Sequence, residues 1–213
     1  MSTPATSESC LANVIDGDAS TWRGNAMSFV MALLLVGSIH DVAAAQVAAA
    51  APGVFTIADG TYSLAAPDGW KQVPPKSRIV EAEFQIPGAG EAEAGRMTVM
   101  GAGGSLEANI ERWYGQFTQP DGSATKERAT TKKLKVAGCD VTIVDIGGTY
   151  KDMPGGPFAG GQAVERPGYR MLAAIVQTGG GNYFLKFYGP AATVAKHSDG
   201  FVKMLEGMVA AAR

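Results

Sequence analysis

Two short glycine breaks, one at Gly138 and one at Gly179-Gly180-Gly181-Asn182, separate segments rich in β-branched and aromatic residues, and breaks that short restrict how the segments can be joined. A parallel neighbour needs a crossover of about a dozen residues, whereas an antiparallel neighbour needs only a hairpin turn. Residues 124–136 and 141–150 therefore read as one hairpin, and residues 169–176 and 183–188 as another. An earlier pair is expected from residues 78–86 and 96–100. In the first of these, Ile79, Glu81 and Glu83 alternate with Val80, Ala82, Phe84 and Ile86, the period of two of a half-buried strand. Residues 61–64 form a further short strand that ends at the turn Pro67-Asp68-Gly69, with Trp70 behind it.

Two segments carry the helical period instead. Ser105 is a suitable N-cap, Glu107 places negative charge in the first turn, and Leu106, Ile110, Trp113 and Phe117 make one apolar stripe before Pro120-Asp121-Gly122 stops the helix. Pro190 suits the first turn of a closing helix whose buried side is Val194, Ser198, Phe201, Leu205 and Met208. Strands, helix, strands, helix, with no strand-helix-strand alternation, predict an α+β fold: an antiparallel sheet of about six to seven strands with two main helices packed on it. In the strand Tyr183-Phe184-Leu185-Lys186-Phe187-Tyr188 both faces carry aromatic residues, which predicts a central position with cover on both sides. If the face of Phe184, Lys186 and Tyr188 is partly open, it makes an apolar groove for a ligand.

This order resembles the PsbP/Mog1-like fold and small secreted bacterial proteins that share it. The likeness lies in an opening strand into Pro67-Asp68-Gly69-Trp70, a mid-chain helix, paired strands, Tyr169-Arg170-Met171-Leu172, an aromatic strand into Gly189-Pro190, and a closing Phe201-Val202-Lys203-Met204-Leu205. It spans roughly residues 62–208. The resemblance implies a non-catalytic accessory or binding module, and it carries over no individual functional residue.

Residues 27–39 are an apolar run of thirteen, followed by Ala43-Ala44-Ala45 before Gln46, which reads as a secretory signal with an Ala-x-Ala cleavage site. The expected division is a leader over residues 1–45, a flexible Ala-rich lead-in over 46–53 and one α+β domain over 54–213. A retained anchor is the alternative, but it needs about 18 apolar residues, and His40-Asp41 interrupts the run. Translation from Met27 would explain the polar stretch ahead of the run, at the cost of a leader without a basic residue. Cleavage takes away four acids and one base, moving the formal charge from −2 to +1, and leaves Cys139 and His197 as the mature cysteine and histidine. Near-neutral charge argues against a nucleic-acid binder. One cysteine permits no internal disulfide, and Cys139, next to the strand 141–144, reads as a buried apolar residue.

Few side chains can carry ordinary active-site chemistry. One histidine without a nearby nucleophile motif does not make a triad, and one histidine with one cysteine does not make a zinc site. His197 reads as an exposed helical side chain. Glu81 and Glu83 share a strand face, as do Glu91 and Glu93 if their turn is extended, and both pairs read as solvent-facing charge. Neither glycine-rich loop runs on into the Lys-Ser/Thr helix start of a phosphate cradle. No cofactor or metal is expected, and no stable membrane insertion after cleavage.

Docking candidates remain. Lys126, Arg128 and Lys132 would share one face of a strand over residues 124–136, with Lys133 and Lys135 on the other; a lysine-protected edge strand explains the same residues. Met153 and Phe158 lie in a Gly/Pro-rich loop over residues 152–168, where an apolar tip could anchor a partner and plain flexibility is the alternative. The expected function is an exported, non-enzymatic binding or accessory module recognising a protein partner. The alternative is a carrier for a small apolar or amphipathic ligand in a groove between sheet and helix, with a hydrolase third.

Overall fold

A computed structural model of the chain describes residues 53–153 and 162–211. The leader, most of the Ala-rich lead-in and Phe158 lie outside the described residues. In chain order the elements are β1 (Val54–Ile57), β2 (Tyr62–Ala65), β3 (Lys71–Val73), β4 (Ala82–Ile86), β5 (Gly95–Ala102), α1 (Leu106–Tyr114), β6 (Phe117–Thr118), α2 (Thr125–Arg128), β7 (Thr130–Val136), β8 (Cys139–Asp152), β9 (Val164–Thr178), β10 (Gly181–Pro190), α3 (Ala191–Glu206) and β11 (Val209–Ala210). The main sheet runs β3-β4-β5-β10-β9-β8-β6, with β7 also paired to β8, and a small sheet runs β1-β2-β11. Every pairing is antiparallel.

The architecture is the expected α+β one, with more strands than the alternation pattern marks. The main sheet holds eight. β3 and β6 are three and two residues long, too short to display a period. β10 lies between β5 and β9, the central position that its two aromatic faces require. Its alternation sorts the core into two layers. Leu185 and Phe187 join Phe84, Met97, Val99 and the α3 residues Val194, Phe201 and Leu205 on one face, while Phe184 joins Ile175, Val144, Met171 and Trp113 of α1 on the other. Cys139 is buried in the first layer, with its thiol free.

Several boundaries differ from the sequence reading, each for a local reason. β4 begins at Ala82, because residues 78–81 form a turn in which Val80 N donates to Ser77 O and Ile79 is exposed. α1 does begin at a Ser105 cap, whose Oγ accepts from Ala108 N at 3.1 Å, but it ends at Tyr114 with Gly115 as C-cap. Phe117 is therefore delivered to the core by β6. The expected strand over residues 124–136 starts with a helical turn, α2, so Lys126 and Arg128 are not strand residues. The buried Thr125 fixes that turn: its hydroxyl donates to Phe117 O and accepts from Gln119 Nε2. Neither bond is visible in a run as polar as Thr-Lys-Glu-Arg.

The β7–β8 hairpin turns at Ala137 and Gly138, both at positive φ, 49° and 81°, as a two-residue primed turn demands. A register shift lies between Gly148 and Tyr150. Gly148 sits there at φ 145°, and a Cβ would come within 2.6 Å of Thr118 O, so only glycine lets β6 lie this close to β8.

Candidate functional site

The residues singled out for docking fall in separate places. Lys126 and Arg128 are on α2, Lys132 is on β7, Met153 follows the end of β8, and Phe158 lies outside the described residues. Lys126 Nζ is 2.7 Å from Glu111 Oε1, Arg128 pairs with Asp121, and Lys132 Nζ is 3.9 Å from Glu206 Oε1. The common strand face expected for Lys126, Arg128 and Lys132 is thus replaced by two cations on α2 and one on β7, each with an acid beside it.

Met153 belongs to a different geometry. β10 ends at Pro190, opposite Tyr169 of β9, so the β9 residues before Tyr169 have no partner on that side. On the other side the β6 ladder covers Thr149 and Tyr150, and Gln116 O, just before β6, accepts from Lys151 N at 2.8 Å. Past that bond the last pair, Asp152–Val164, extends beyond the neighbouring strands as the end of a two-stranded arm. The loop expected over residues 152–168 is correspondingly shorter, since β9 is a strand from Val164 onward. At the arm's end Met153 is 48% exposed and Val164 41% exposed. Among the described residues only Ile79 and Val209 are other large apolar side chains as open to water.

A polar cluster lies on the α1 face of the sheet at the base of the arm. Lys186 of β10 has Thr98 and Ala173 as its cross-strand neighbours. Its Nζ donates to Gln116 Oε1 at 2.6 Å and to the Tyr150 hydroxyl at 3.0 Å, and lies 4.9 Å from the ring centres of both Tyr150 and Tyr188. Burial, helped by the positive Arg96, pushes the amine down to about 7, while Asp152 pulls the other way. The two ring faces also favour the cation. Burial holds the hydroxyls of Tyr150 and Tyr188 protonated beyond the usual tyrosine range.

Arg96 links this cluster to Glu83. Its Nε and Nη2 donate to Glu83 at 2.8 and 2.9 Å, and its Nη1 donates to the Tyr188 hydroxyl at 2.7 Å. Glu83, read from sequence as a solvent-facing carboxylate, is 2% exposed. The Arg96 hydrogen bonds hold its carboxyl below the usual range against the opposing effect of burial, and Lys76 N adds a further bond. His197 also departs from expectation. It is half-buried, with Trp70 Nε1 donating to its Nδ1 at 3.2 Å and its Nε2 2.9 Å from Pro87 O, which makes Nε2 the protonated nitrogen. It ties α3 to β3 and to the turn after β4.

The sequence reading missed Lys186, Glu83, Arg96 and Val164. One clue was present: a lysine within an aromatic strand covered on both faces must bury its amine. The Glu83–Arg96 pair had no such clue, because it spans two strands and the turn between them.

Two hollows among the described residues bear on ligand binding. One, about 210 Å³ in volume, lies between α3 and the sheet, where Arg170 donates twice to Asp145 at 2.6 and 2.8 Å. The other, about 400 Å³, is wide open beside Gln119, Asp121 and Arg128. No helix among the described residues is long and apolar enough to cross a membrane.

No family model matches the chain, and no curated protein matches it in sequence. Among solved structures it is similar to a protein of unknown function from Pseudomonas aeruginosa, at 9% identity, covering 75% of this chain and 97% of that one, with a TM-score of 0.41. It is also similar to the solution structure of cyanobacterial PsbP from Synechocystis, at 11% identity, covering 74% of this chain and 91% of that one, with a TM-score of 0.45. The likeness to a PsbP structure is the one that the order of elements suggested; both likenesses concern fold alone, and neither bears on function.

Proposed function

We propose that this protein is an exported, non-catalytic accessory module that recognises a protein partner through the end of the β8–β9 arm. The observation that supports this reading is that Met153 and Val164, two exposed apolar side chains, both lie at the free end of the β8–β9 ladder, Val164 opposite Asp152 and Met153 one residue beyond it. Apolar groups held in water at the end of a ladder add nothing to the protein's own core, and a partner that covers them gains about 25 cal/mol for each Å² of apolar area removed from water. Lys126, Arg128 and Lys132 are separate secondary contact points, at each of which a partner carboxylate would replace the acid now beside the cation. The carrier reading is less well supported. Pockets for small organic ligands are about 300–1,000 Å³ and mostly apolar, whereas the groove between sheet and α3 is about 210 Å³ and contains the Arg170–Asp145 ion pair.

The test uses the native host. A photo-crosslinking residue is placed at Val164 and, as a control, at the exposed Lys133 of β7, and the protein is recovered from the extracytoplasmic fraction. The expected outcome is one defined protein adduct from position 164, absent at position 133 and lost when Met153→Asp is added. Equal adducts at both positions, or no adduct at 164, would sink the docking reading. Recovery of the protein only from the cytoplasm would sink the export reading.

A further inference from the structure

The hollow between α3 and the sheet, about 210 Å³ in volume, has walls of opposite chemistry. Its floor is apolar: Ile143 of β8 and Leu172 of β9 are buried, and the half-buried Val202 of α3 lines one side. The two charges on the floor, Arg170 and Asp145, meet each other through two hydrogen bonds and leave no net charge there. Donors stand on the β7 side. Thr130 and Lys132 alternate onto one face of that strand, opposite Asp145 and Ile143. The nearest acid to Lys132 Nζ is Glu206, at 3.9 Å, the longest ion pair among the described residues. Acceptors stand on α3. The Asp199 carboxylate has no ion pair or hydrogen bond among the described residues, and Ser198 Oγ, which donates to Ala195 O, keeps its lone pairs to accept.

We propose that this hollow binds a small apolar α-amino acid as its zwitterion. The ligand carboxylate lies against Lys132 and the Thr130 hydroxyl, its ammonium against Asp199 and Ser198 Oγ, and its side chain over Ile143, Leu172 and Val202. Lys132 then turns from Glu206, whose exposed carboxylate returns to water. Each wall offers one sign of charge, so a ligand needs both. An acid without the amine leaves Asp199 unanswered, and an amine without the acid leaves Lys132 so. Size sets the upper limit: small organic ligands ordinarily occupy about 300–1,000 Å³, and the smaller volume here excludes a lipid but admits a single amino acid. The charged walls that count against an apolar cargo are the feature that a zwitterion matches. The apolar floor favours leucine or valine over glycine, which has no side chain to bury.

This inference does not depend on the docking reading, and its test uses the purified protein with no partner present. Leucine is titrated into nitrogen-labelled protein while amide NMR spectra are recorded, and glycine, isoamylamine and 4-methylpentanoate are titrated in parallel. The expected result is saturable shifts on β7 around Thr130 and Lys132 and on α3 around Ser198 and Val202, with glycine, the amine and the acid each binding several-fold more weakly than leucine. Asp199→Asn and Lys132→Gln, both at exposed positions, should each weaken leucine binding several-fold, and the same spectra show that the variants are folded. No saturable shift with leucine, shifts confined to other elements, or an amine or acid that binds as tightly as leucine would overturn the assignment. The titrations of the unsubstituted protein decide the matter even if a variant fails to fold.

Discussion

Lys186 and Glu83 show how opposite outcomes follow from burying a charge on one sheet face. Glu83 is met by the guanidinium of Arg96, which holds its carboxyl ionised below the usual range. Its contribution to stability is therefore full above the ordinary carboxylate range and is lost as pH falls through the lowered folded value. Lys186 has no such partner and is lowered from 10.5 to about 7. Between these values the unfolded chain binds a proton that the folded one does not, so this group makes stability rise with pH across that window, and its cost is full below about 7. Replacing it by an apolar side chain of similar length removes the cost. In urea titrations, Lys186→Met is expected to be more stable at pH 6 to 7 by about 1–3 kcal/mol, with the gain shrinking as pH rises toward 10. A variant less stable than the parent at pH 6 would show that the rings of Tyr150 and Tyr188 outweigh desolvation.

At the scale of elements, turns and short segments decide the outcome. The β7–β8 turn places Ala137 at φ 49°, a conformation that costs an L-residue with a Cβ roughly 1 kcal/mol and that asparagine tolerates better. Ala137→Asn should therefore raise the urea midpoint, with a gain of about 0.5–1 kcal/mol and an unchanged slope; a loss of stability would mean the primed turn does not form in solution. The hairpins were legible because Gly138 and Gly179-Gly180 mark their turns by chemistry that acts within a few residues. α2 was not, because four polar residues carry no period and their conformation is set by the Thr125 hydroxyl reaching Phe117 O. The same reason moved Lys126 and Arg128 off the strand face where alternation had placed them.

For the whole molecule, strand order sets where stability is concentrated. β5, β10, β9 and β8 form the centre, with α3 and α1 on opposite faces, whereas the end of the β8–β9 arm pairs only with itself. Hydrogen exchange followed by mass spectrometry should find Leu172–Val176 and Phe184–Phe187 the slowest to exchange, and Asp152 with Val164–Glu165 faster by several orders of magnitude. Equal protection of arm and centre would mean that the arm is packed against something in solution.

Alternation, turn chemistry and the two amphipathic stripes were enough to establish from the sequence an antiparallel sheet with helices packed on it, the central place of the strand bearing Lys186, the burial of Trp113 and Cys139, and the Ser105 cap. These are local properties, written in periods of two and 3.6 and in side chains that act on their own backbone. Only the tertiary structure decided that Glu83 meets Arg96, that Trp70 donates to His197, that Lys186 lacks a carboxylate, and that Met153 and Val164 are left exposed where the β8–β9 ladder ends. Each of these depends on which strands lie side by side and where one strand outruns its neighbour, a property of pairing across the chain that no local period encodes.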